Sequence, residues 1–542
     1  MRRKARGTMK TGTKGLTILP VIAAGLLLGL AGCSGEDAGS ERETERYDIL
    51  LLGGNVVDGT GAPARVANIG IVGDRIVNVD AAADAEAGTT VDATGLLVAP
   101  GFIDPHTHAL VDLLDDDANE NAAFLMQGVT TVVVGNDGGG IPDLQASLET
   151  MRRQGVGTNV AFYAGHNDIR RMAMGLENRP ASADELDAMK ATVAEQMEAG
   201  ALGLSTGLYY TPGSYSPTEE VIELAKVAAA YGGVYDSHLR DESSYSIGLL
   251  GAVEEAITIG EEADLPVHIA HLKALGRDVW GQSGDIIAMV EEARERGVEV
   301  TADQYPYRAS GTSFSSALIP AWVRADSTEA MFDRIDNADL GTGIREEMAQ
   351  NLWRRGGADS LLVTGSNSEY RGKTLDEIAA ELDVDPLEAA IEVVRGGNPS
   401  IASFNMNPND ISAIAIQDWV MTGSDGSSGH PRKYASYPTV YRNMVLDEGL
   451  FSVERFIQRS SADVADALRL CDRGYLAPGK LADVILLDLE TYEPVADFQN
   501  PAELATGLRY ALINGQFAVA DGDMTANLVG SIANRQALDC SE

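Results

Sequence analysis

The pattern of apolar runs predicts an α/β protein. The expected fold is a (β/α)8 TIM-like barrel with a small discontinuous β-sandwich domain built from both ends of the chain. Three observations carry this. Eight β-like runs lie near 97–103, 130–135, 159–164, 202–205, 233–237, 266–270, 298–302 and 419–423, most of them separated by helical patterns. β-rich segments flank them on both sides. Nearly every run also ends in a residue able to do chemistry, as barrel strands do at their C-terminal mouth. A doubly wound sheet would not distribute such residues this way.

Bulk properties suit a folded enzyme-sized protein. At 542 residues, with 44% hydrophobic and 23% charged side chains, the chain needs more than one small core. Its 81 acidic residues against 41 basic ones give a net charge of −40, which repels anionic polymers and argues against a nucleic-acid partner. Nothing in the sequence sets an oligomeric state.

The first 32 residues are read as a signal peptide. Arg2, Arg3, Lys4, Arg6, Lys10 and Lys14 precede an apolar stretch over 16–30 that is short for a membrane-spanning helix. The stretch ends in Leu30-Ala31-Gly32-Cys33, which resembles the lipobox of bacterial lipoproteins and implies lipidation at Cys33. Residues 33–46 then form a lipidated tether. The expected location is the bacterial cell envelope, with the membrane reached through the lipid anchor. By the same resemblance, Ser34 after the cysteine implies the outer membrane, on its periplasmic side, in a Gram-negative cell. Cys471 and Cys540 are left; they can pair, but carry no disulfide framework and no metal-type spacing.

Taken in order, 47–98 is the first part of the β domain. Ile49-Leu-Leu-Leu52, Asn68-Ile-Gly-Ile-Val72 and Arg75-Ile-Val-Asn-Val79 are separated by turns such as Gly53-Gly54 and Gly73-Asp74. Residues 99–470 form the barrel. Ser182-Ala-Asp-Glu185 and Ser216-Pro-Thr-Glu219 read as capping boxes opening two of its helices. An insertion over about 311–410, with helices expected at 328–335, 375–382 and 386–394, is too long for a plain loop and reads as a lid over the mouth. Residues 471–525 complete the β domain through Ala482-Asp-Val-Ile-Leu-Leu487 and Tyr510-Ala-Leu-Ile-Asn-Gly515, and 526–542 is a tail.

The strand ends are the chemical signal. The first run leads into Asp104-Pro105-His106-Thr107-His108, whose two imidazoles project the same way from extended backbone and can meet one cation. The second ends in Asn136-Asp137, the third in His166 and the fourth in Tyr209-Tyr210. The fifth ends in His238, the sixth in His271 with Lys273, the seventh in Asp303 and Tyr305, and the eighth in Asp425. Five of seven histidines thus fall at strand ends. His268 alternates with His271 and is expected to be structural, while His430 lies in the loop after Asp425.

With these residues in view, the chain resembles the amidohydrolase superfamily, and within it the N-acyl-D-amino-acid deacylases. The resemblance runs from about Tyr47 to Gly522. It rests on Gly101-Phe-Ile-Asp-Pro-His-Thr-His108, Gly128-Val-Thr-Thr-Val-Val-Val-Gly-Asn136, Gly200-Ala-Leu-Gly-Leu-Ser-Thr-Gly-Leu208 and Tyr231-Gly-Gly-Val-Tyr-Asp-Ser-His-Leu-Arg-Asp-Glu242. Gly423-Ser-Asp-Gly426, His430-Pro-Arg432 and Gly474-Tyr-Leu-Ala-Pro-Gly-Lys-Leu-Ala-Asp483 add to it. It implies that His106, His108, His238 and His271 are metal ligands and that Asp425 is both ligand and catalytic carboxylate. It implies that Tyr210, Lys273, Tyr305 and Arg432 bind substrate. The family cysteine at the end of the second strand is replaced, the sequence reading Gly135-Asn136-Asp137, and a serine expected after the seventh strand gives way to Ser310-Gly311-Thr312. A carboxylate can bridge two metals as a thiolate does, so Asp137 joins the expected ligands. Its harder oxygen admits Mn2+ or Co2+ beside one or two Zn2+ ions.

The expected reaction is metal-dependent hydrolysis of the amide of a small-molecule N-acyl amino acid, of the D series by resemblance, releasing a carboxylic acid and a free amino acid. A dipeptidase or cyclic-amide hydrolase would use the same metals. A lipid-anchored binding protein on an inactive barrel would not need the full set of ligands and Asp425.

Overall fold

The computed structural model describes residues 46–141 and 143–535. The signal peptide, Cys33 and the last seven residues, Cys540 among them, lie outside the described residues. Cys471 is disulfide-bonded.

Both ends of the chain build one β domain. Strand Arg46–Val56 pairs antiparallel with Arg65–Val72, and parallel with Glu86–Asp92 and Leu97–Pro100. Leu97–Pro100 pairs antiparallel with Val484–Leu487, which joins the two halves, and the order continues through Leu508–Ile513, Gln516–Ala520 and Asp523–Met524. The period of two along these strands sorts the side chains. Val98, Val484, Leu486 and Leu512 face a core of the β domain, with Ile49, Leu51, Ile69 and Ile71. Leu97, Ala99, Ile485, Leu487 and Ala511 face the barrel core. The expected sandwich is thus a single hydrogen-bonded sheet of nine strands with one face packed on the barrel.

The run read as one strand over 97–103 is two. Leu97–Pro100 belongs to the β domain and Phe102–Asp104 to the barrel. Gly101 makes the break possible, because a Cβ there would stand 2.1 Å from Thr130 Oγ1.

The barrel strands are β1 (Phe102–Asp104), β2 (Val129–Val134), β3 (Asn159–Phe162, resuming as Ala164–Gly165), β4 (Gly203–Gly207), β5 (Val234–His238), β6 (Val267–Ile269), β7 (Val300–Gln304) and β8 (Val420–Thr422). All pair in parallel with their neighbours within two sheets. The sheets meet where Leu202 N donates to Phe162 O at 2.8 Å, and where Thr107 bridges Gly426, with His108 N on Gly426 O at 3.1 Å. The eight expected strands are therefore present. Outer helices bury one stripe each. In Thr218–Ala230 that stripe is Val221, Leu224, Ala225 and Ala228, and each large aliphatic residue so buried is worth about 1.5–3 kcal/mol.

Ser182 closes its capping box with Glu185. Ser216 does not: its hydroxyl donates backwards to Gly213 O at 2.7 Å, and the helix starts after Pro217. Nor are residues 530–533 a loose tail, since Val160 N donates to Ser531 O and Ala533 N to Val160 O, extending the edge of β3.

The insertion is a small α+β unit. Strands Ala309–Ser313, Ser400–Phe404 and Leu361–Val363 form an antiparallel sheet. Helices Thr328–Asp336, Gly341–Arg354, Leu375–Leu382 and Pro386–Arg395 pack with it around Phe314, Leu318, Ile344, Met348, Leu375 and Ile391. It shares its walls with the cavity at the barrel mouth through Gly311, Thr312, Arg355, Thr364, Ser400 and Ile401.

Candidate active site

The first loop is fixed before it meets anything else. Asn136 Nδ2 donates to Pro105 O at 3.0 Å and Thr107 Oγ1 to Val133 O at 2.6 Å, locking His-Thr-His against β2. Asp104 Oδ1 accepts from His106 N at 3.2 Å and from Ser424 N at 3.1 Å, tying β1 to the end of β8. Asp137, His271 and Asp425 sit at φ of 55°, 35° and 48°. Left-handed backbone is costly for side-chain-bearing residues and is found where surrounding structure imposes it. Here the turn aims each side chain back over the strand end.

These loops bring six expected ligands together. Asp137 Oδ1 lies 3.3 Å from His106 Nε2, 3.4 Å from His238 Nδ1 and 3.3 Å from His271 Nε2, while Oδ2 lies 3.6 Å from His108 Nε2. Asp425 Oδ1 lies 3.2 Å from His108 Nε2 and 3.8 Å from His106 Nε2. Around an ion with bonds of about 2.1 Å, tetrahedral ligand atoms stand about 3.4 Å apart. The spacing about Asp137 matches that figure. His238 Nδ1 and His271 Nε2 are closer, at 2.9 Å.

The electrostatics ask for a cation. Both ring nitrogens of His106 are buried without a hydrogen-bond partner. Burial depresses its pKa, favouring the neutral form that ligates. Burial and Lys273 push His271 down, yet Asp425, Glu242 and Asp137 outweigh them and hold it up at about 10. Burial likewise works against ionised Asp137 and Asp425. His106 and His238 overcome it for Asp137, and Arg432 with the imidazoles overcomes it for Asp425. Two buried carboxylates thus stay ionised among imidazoles, a donor set that fits one or two divalent ions of the zinc type.

The cavity over this cluster holds about 310 Å³. Tyr210 sets its ring 4.7 Å from that of His238, tilted by 51°, and burial lifts its phenol well above the ordinary value, so it remains a donor. Tyr305 lies between two cations, 4.9 Å from Arg432 and 5.7 Å from Lys273, with its buried hydroxyl lacking a partner. Arg432, expected to hold a substrate carboxylate, places Nη1 2.7 Å from Asp425 Oδ2 and Nη2 3.1 Å from Ser427 Oγ. Its Nε is buried without a partner. Gly311, in the stretch where the family serine is missing, leaves room for this guanidinium, since a Cβ there would stand 2.8 Å from Nη2. Lys273 is also engaged, donating to Glu242 Oε1 at 2.5 Å with its Nζ 2.7 Å from His271 Nδ1.

His166 is not part of the site. The third strand breaks at Tyr163 and a helix starts at His166, whose Nε2 faces Glu220 Oε1 at 3.2 Å, with Arg170 on the same carboxylate. Asp303 is committed to His268, 3.0 Å from its Nε2, so His268 is structural as expected. His430 lines the cavity, its Nε2 3.2 Å from Ala309 O.

Glu242, Tyr245 and Arg355 also line the site, beyond the residues expected from the sequence. Glu242 Oε1 lies 3.2 Å from His271 Nδ1 and Oε2 3.9 Å from His238 Nε2, making a second group able to hold a metal. Its signal was present, an acid four residues after a strand-end histidine. Arg355 had none, because the insertion brings it across more than a hundred residues to Tyr209 and Tyr245.

Fold and site together define a (β/α)8 barrel whose mouth carries an imidazole and carboxylate metal centre. Residues 89–519 match the model of the amidohydrolase family, and the chain belongs to that family. It is 31% identical to a D-aminoacylase from Alcaligenes xylosoxydans xylosoxydans, over 92% of this chain and 100% of that one. Among solved structures, it is similar to a D-aminoacylase with a binuclear metal centre, in which one metal activates and the second attenuates (31% identity, TM-score 0.78, 90% of this chain and 100% of the other). It is also similar to the N-acyl-D-glutamate deacylase from Bordetella bronchiseptica, complexed with zinc and a phosphonate that mimics the tetrahedral intermediate (30% identity, TM-score 0.78, 90% and 100%).

Proposed function

We propose that the protein is a metal-dependent deacylase that hydrolyses the amide bond of N-acyl-D-amino acids. One arrangement carries this reading: a buried carboxylate, Asp425, is held between Arg432 and His108 beside the metal cluster, at a cavity lined by Arg432 and Tyr305, whose Nε and Oη are buried donors without partners. Those donors suit the free α-carboxylate of the substrate.

His106, His108, Asp137, His238, His271 and Asp425 would hold one or two zinc ions, with manganese or cobalt as substitutes. When bound, the metal supplies Lewis-acid polarisation of the scissile carbonyl and acidifies water toward a pKa of about 7. Arg432 Nε and Tyr305 Oη orient the α-carboxylate, and with it the amide, before chemistry begins. Tyr210, kept protonated by burial, donates to the oxygen on which charge develops. Asp425 Oδ1, the oxygen facing the imidazoles, takes the proton of the attacking water and delivers it to the leaving amine. Oδ2 stays on Arg432, so the carboxylate does not turn away between the two transfers.

The test is a panel of N-acyl-D- and N-acyl-L-amino acids, run after chelation and reloading with zinc, manganese or cobalt. Hydrolysis of D-forms in preference to L-forms, restored by metal, is expected. No turnover of any N-acyl amino acid with any of the three metals overturns the proposal.

The chain is also proposed to be a lipoprotein of the bacterial envelope, anchored through Cys33. The basic segment, the apolar stretch over 16–30 and Leu30-Ala31-Gly32-Cys33 support this. Among the described residues no helix is long and apolar enough to cross a membrane. Acylated Cys33 in the membrane fraction, and soluble protein from Cys33→Ser, are expected; an unmodified, soluble wild type refutes the anchor.

A further inference from the structure

One buried cation of the cavity has no anionic counterpart. Arg355 follows helix Gly341–Arg354 of the insertion, lines the cavity and is 3% exposed. Its Nε donates to Tyr245 Oη at 2.7 Å, Nη1 to Ser310 Oγ at 3.4 Å and Nη2 to Tyr209 Oη at 3.4 Å. All three acceptors are neutral hydroxyls. The cavity's other cations are matched, Lys273 by Glu242 and Arg432 by Asp425. Among the described residues no carboxylate reaches Arg355. A buried charge without a counter-charge is costly, and an active site retains one where a ligand supplies the partner.

Its place is informative. Tyr209, which Arg355 touches, has its ring 5.9 Å from that of His238, so the guanidinium is one side chain removed from the metal cluster. Ser310 touches Arg355, and a side chain on the next residue, Gly311, would run into Arg432. Both guanidiniums therefore border the same short stretch of backbone. Arg432 and Tyr305 serve the α-carboxylate in the proposed deacylase, which leaves Arg355 for a second anion.

We propose that Arg355 is a specificity-determining residue that receives a second carboxylate of the substrate, the side-chain carboxylate of an N-acyl derivative of an acidic amino acid. The inference rests on the deacylase reading. A guanidinium fork pairs with a carboxylate through two parallel hydrogen bonds, and the amide isostere of that group would leave the charge buried and unpaired. The competing account is structural: a cation at a helix C-terminus is favoured by the dipole, and Arg355 lies 5.7 Å from the Tyr245 ring. That account gives no preference between an acid and its amide.

The experiment measures kcat/KM on the metal-loaded enzyme for N-acetyl-D-glutamate against N-acetyl-D-glutamine, and for N-acetyl-D-aspartate against N-acetyl-D-asparagine, in wild type, Arg355→Met and Arg355→Lys. Wild type is expected to favour the acid over its amide by at least about 30-fold. Arg355→Met brings that ratio within about 3-fold, because turnover of the acid falls at least about tenfold more than that of the amide, and Arg355→Lys retains part of the preference. A wild-type ratio below about 3-fold overturns the proposal, as does an equal fall on acid and amide in Arg355→Met. Should Arg355→Met fail to fold, the wild-type ratio and Arg355→Lys decide. Calorimetric titration of the same acid and amide separates the two readings. An affinity preference lost in Arg355→Met, without turnover of any N-acyl amino acid, sinks the deacylase reading and upholds the subsite. No preference in either binding or turnover sinks the subsite.

Discussion

Arg432 Nη1 lies 2.7 Å from Asp425 Oδ2, so the residue expected to grip the substrate also grips the catalytic carboxylate. The two tasks have different kinetic signatures.

Removing the guanidinium by Arg432→Met takes away the charge that keeps Asp425 ionised against burial. A carboxylate with a depressed pKa works as a base above that pKa, so losing the cause of the depression moves the acid limb of kcat/KM to higher pH. Lost α-carboxylate binding adds a rise in KM for free acids that their methyl esters do not share. A pH profile on both substrate types checks this; an unmoved acid limb would show that Arg432 does not govern Asp425.

Asp425→Asn keeps the shape but cannot shuttle a proton. Turnover is expected to fall by about 10²–10⁴ with bound metal nearly unchanged. Single-turnover rates and metal content of the same sample check it, and activity within tenfold of wild type removes Asp425 from proton transfer.

Asp137 Oδ1 is the atom shared by His106, His238 and His271. Asp137→Ala should lower the metal bound per chain. Asp137→Cys should restore it while shifting preference from manganese toward zinc, because thiolate is the softer ligand. Elemental analysis decides; an alanine variant with full metal and full activity leaves Asp137 outside the ligand set.

His166, Glu220 and Arg170 predict acid sensitivity away from the cavity. Burial keeps His166 below its ordinary pKa, whereas His166 and Arg170 together outweigh burial and hold Glu220 below its own. Both shifts act in the same direction. The unfolded chain binds more protons, so stability from His166 declines below its unfolded pKa of about 6.5, and that from Glu220 below about 4.3. Glu220→Gln should cost about 3–5 kcal/mol at neutral pH, since Arg170 is left buried without its partner, and should steepen the decline of Tm from pH 6.5 to 4, because the carboxylate that raises His166 against burial is gone. A variant with wild-type Tm at neutral pH would refute the assignment, and loss of activity in a folded variant would put His166 back in the site.

Much of the fold was legible along the chain. The barrel strands announced themselves as apolar runs with polar ends, because each strand buries its body and exposes chemistry at one edge. His268 was readable as structural from its alternation with His271. Gly101 was harder: the run from Leu97 to Ile103 has no polar interruption, and it divides where pairing changes from Gly101 N on Asp483 O to Phe102 N on Gly128 O, contacts that no local pattern announces. His166 misled because it stands where a third strand-end ligand should, whereas its helix starts there and turns the ring to Glu220.

The residue types that bind metal, their order along the chain and the β/α alternation that lines them up were determined by the sequence itself, since they follow from local periodicity and from spacing within single loops. Which of those residues meet was decided by tertiary structure alone. Glu242 joins His271, Arg432 joins Asp425, and Arg355 enters from the insertion without a counter-ion. Such pairings depend on barrel closure and on how an inserted unit docks. The free energy of a buried charge depends on partners that no stretch of neighbouring residues contains.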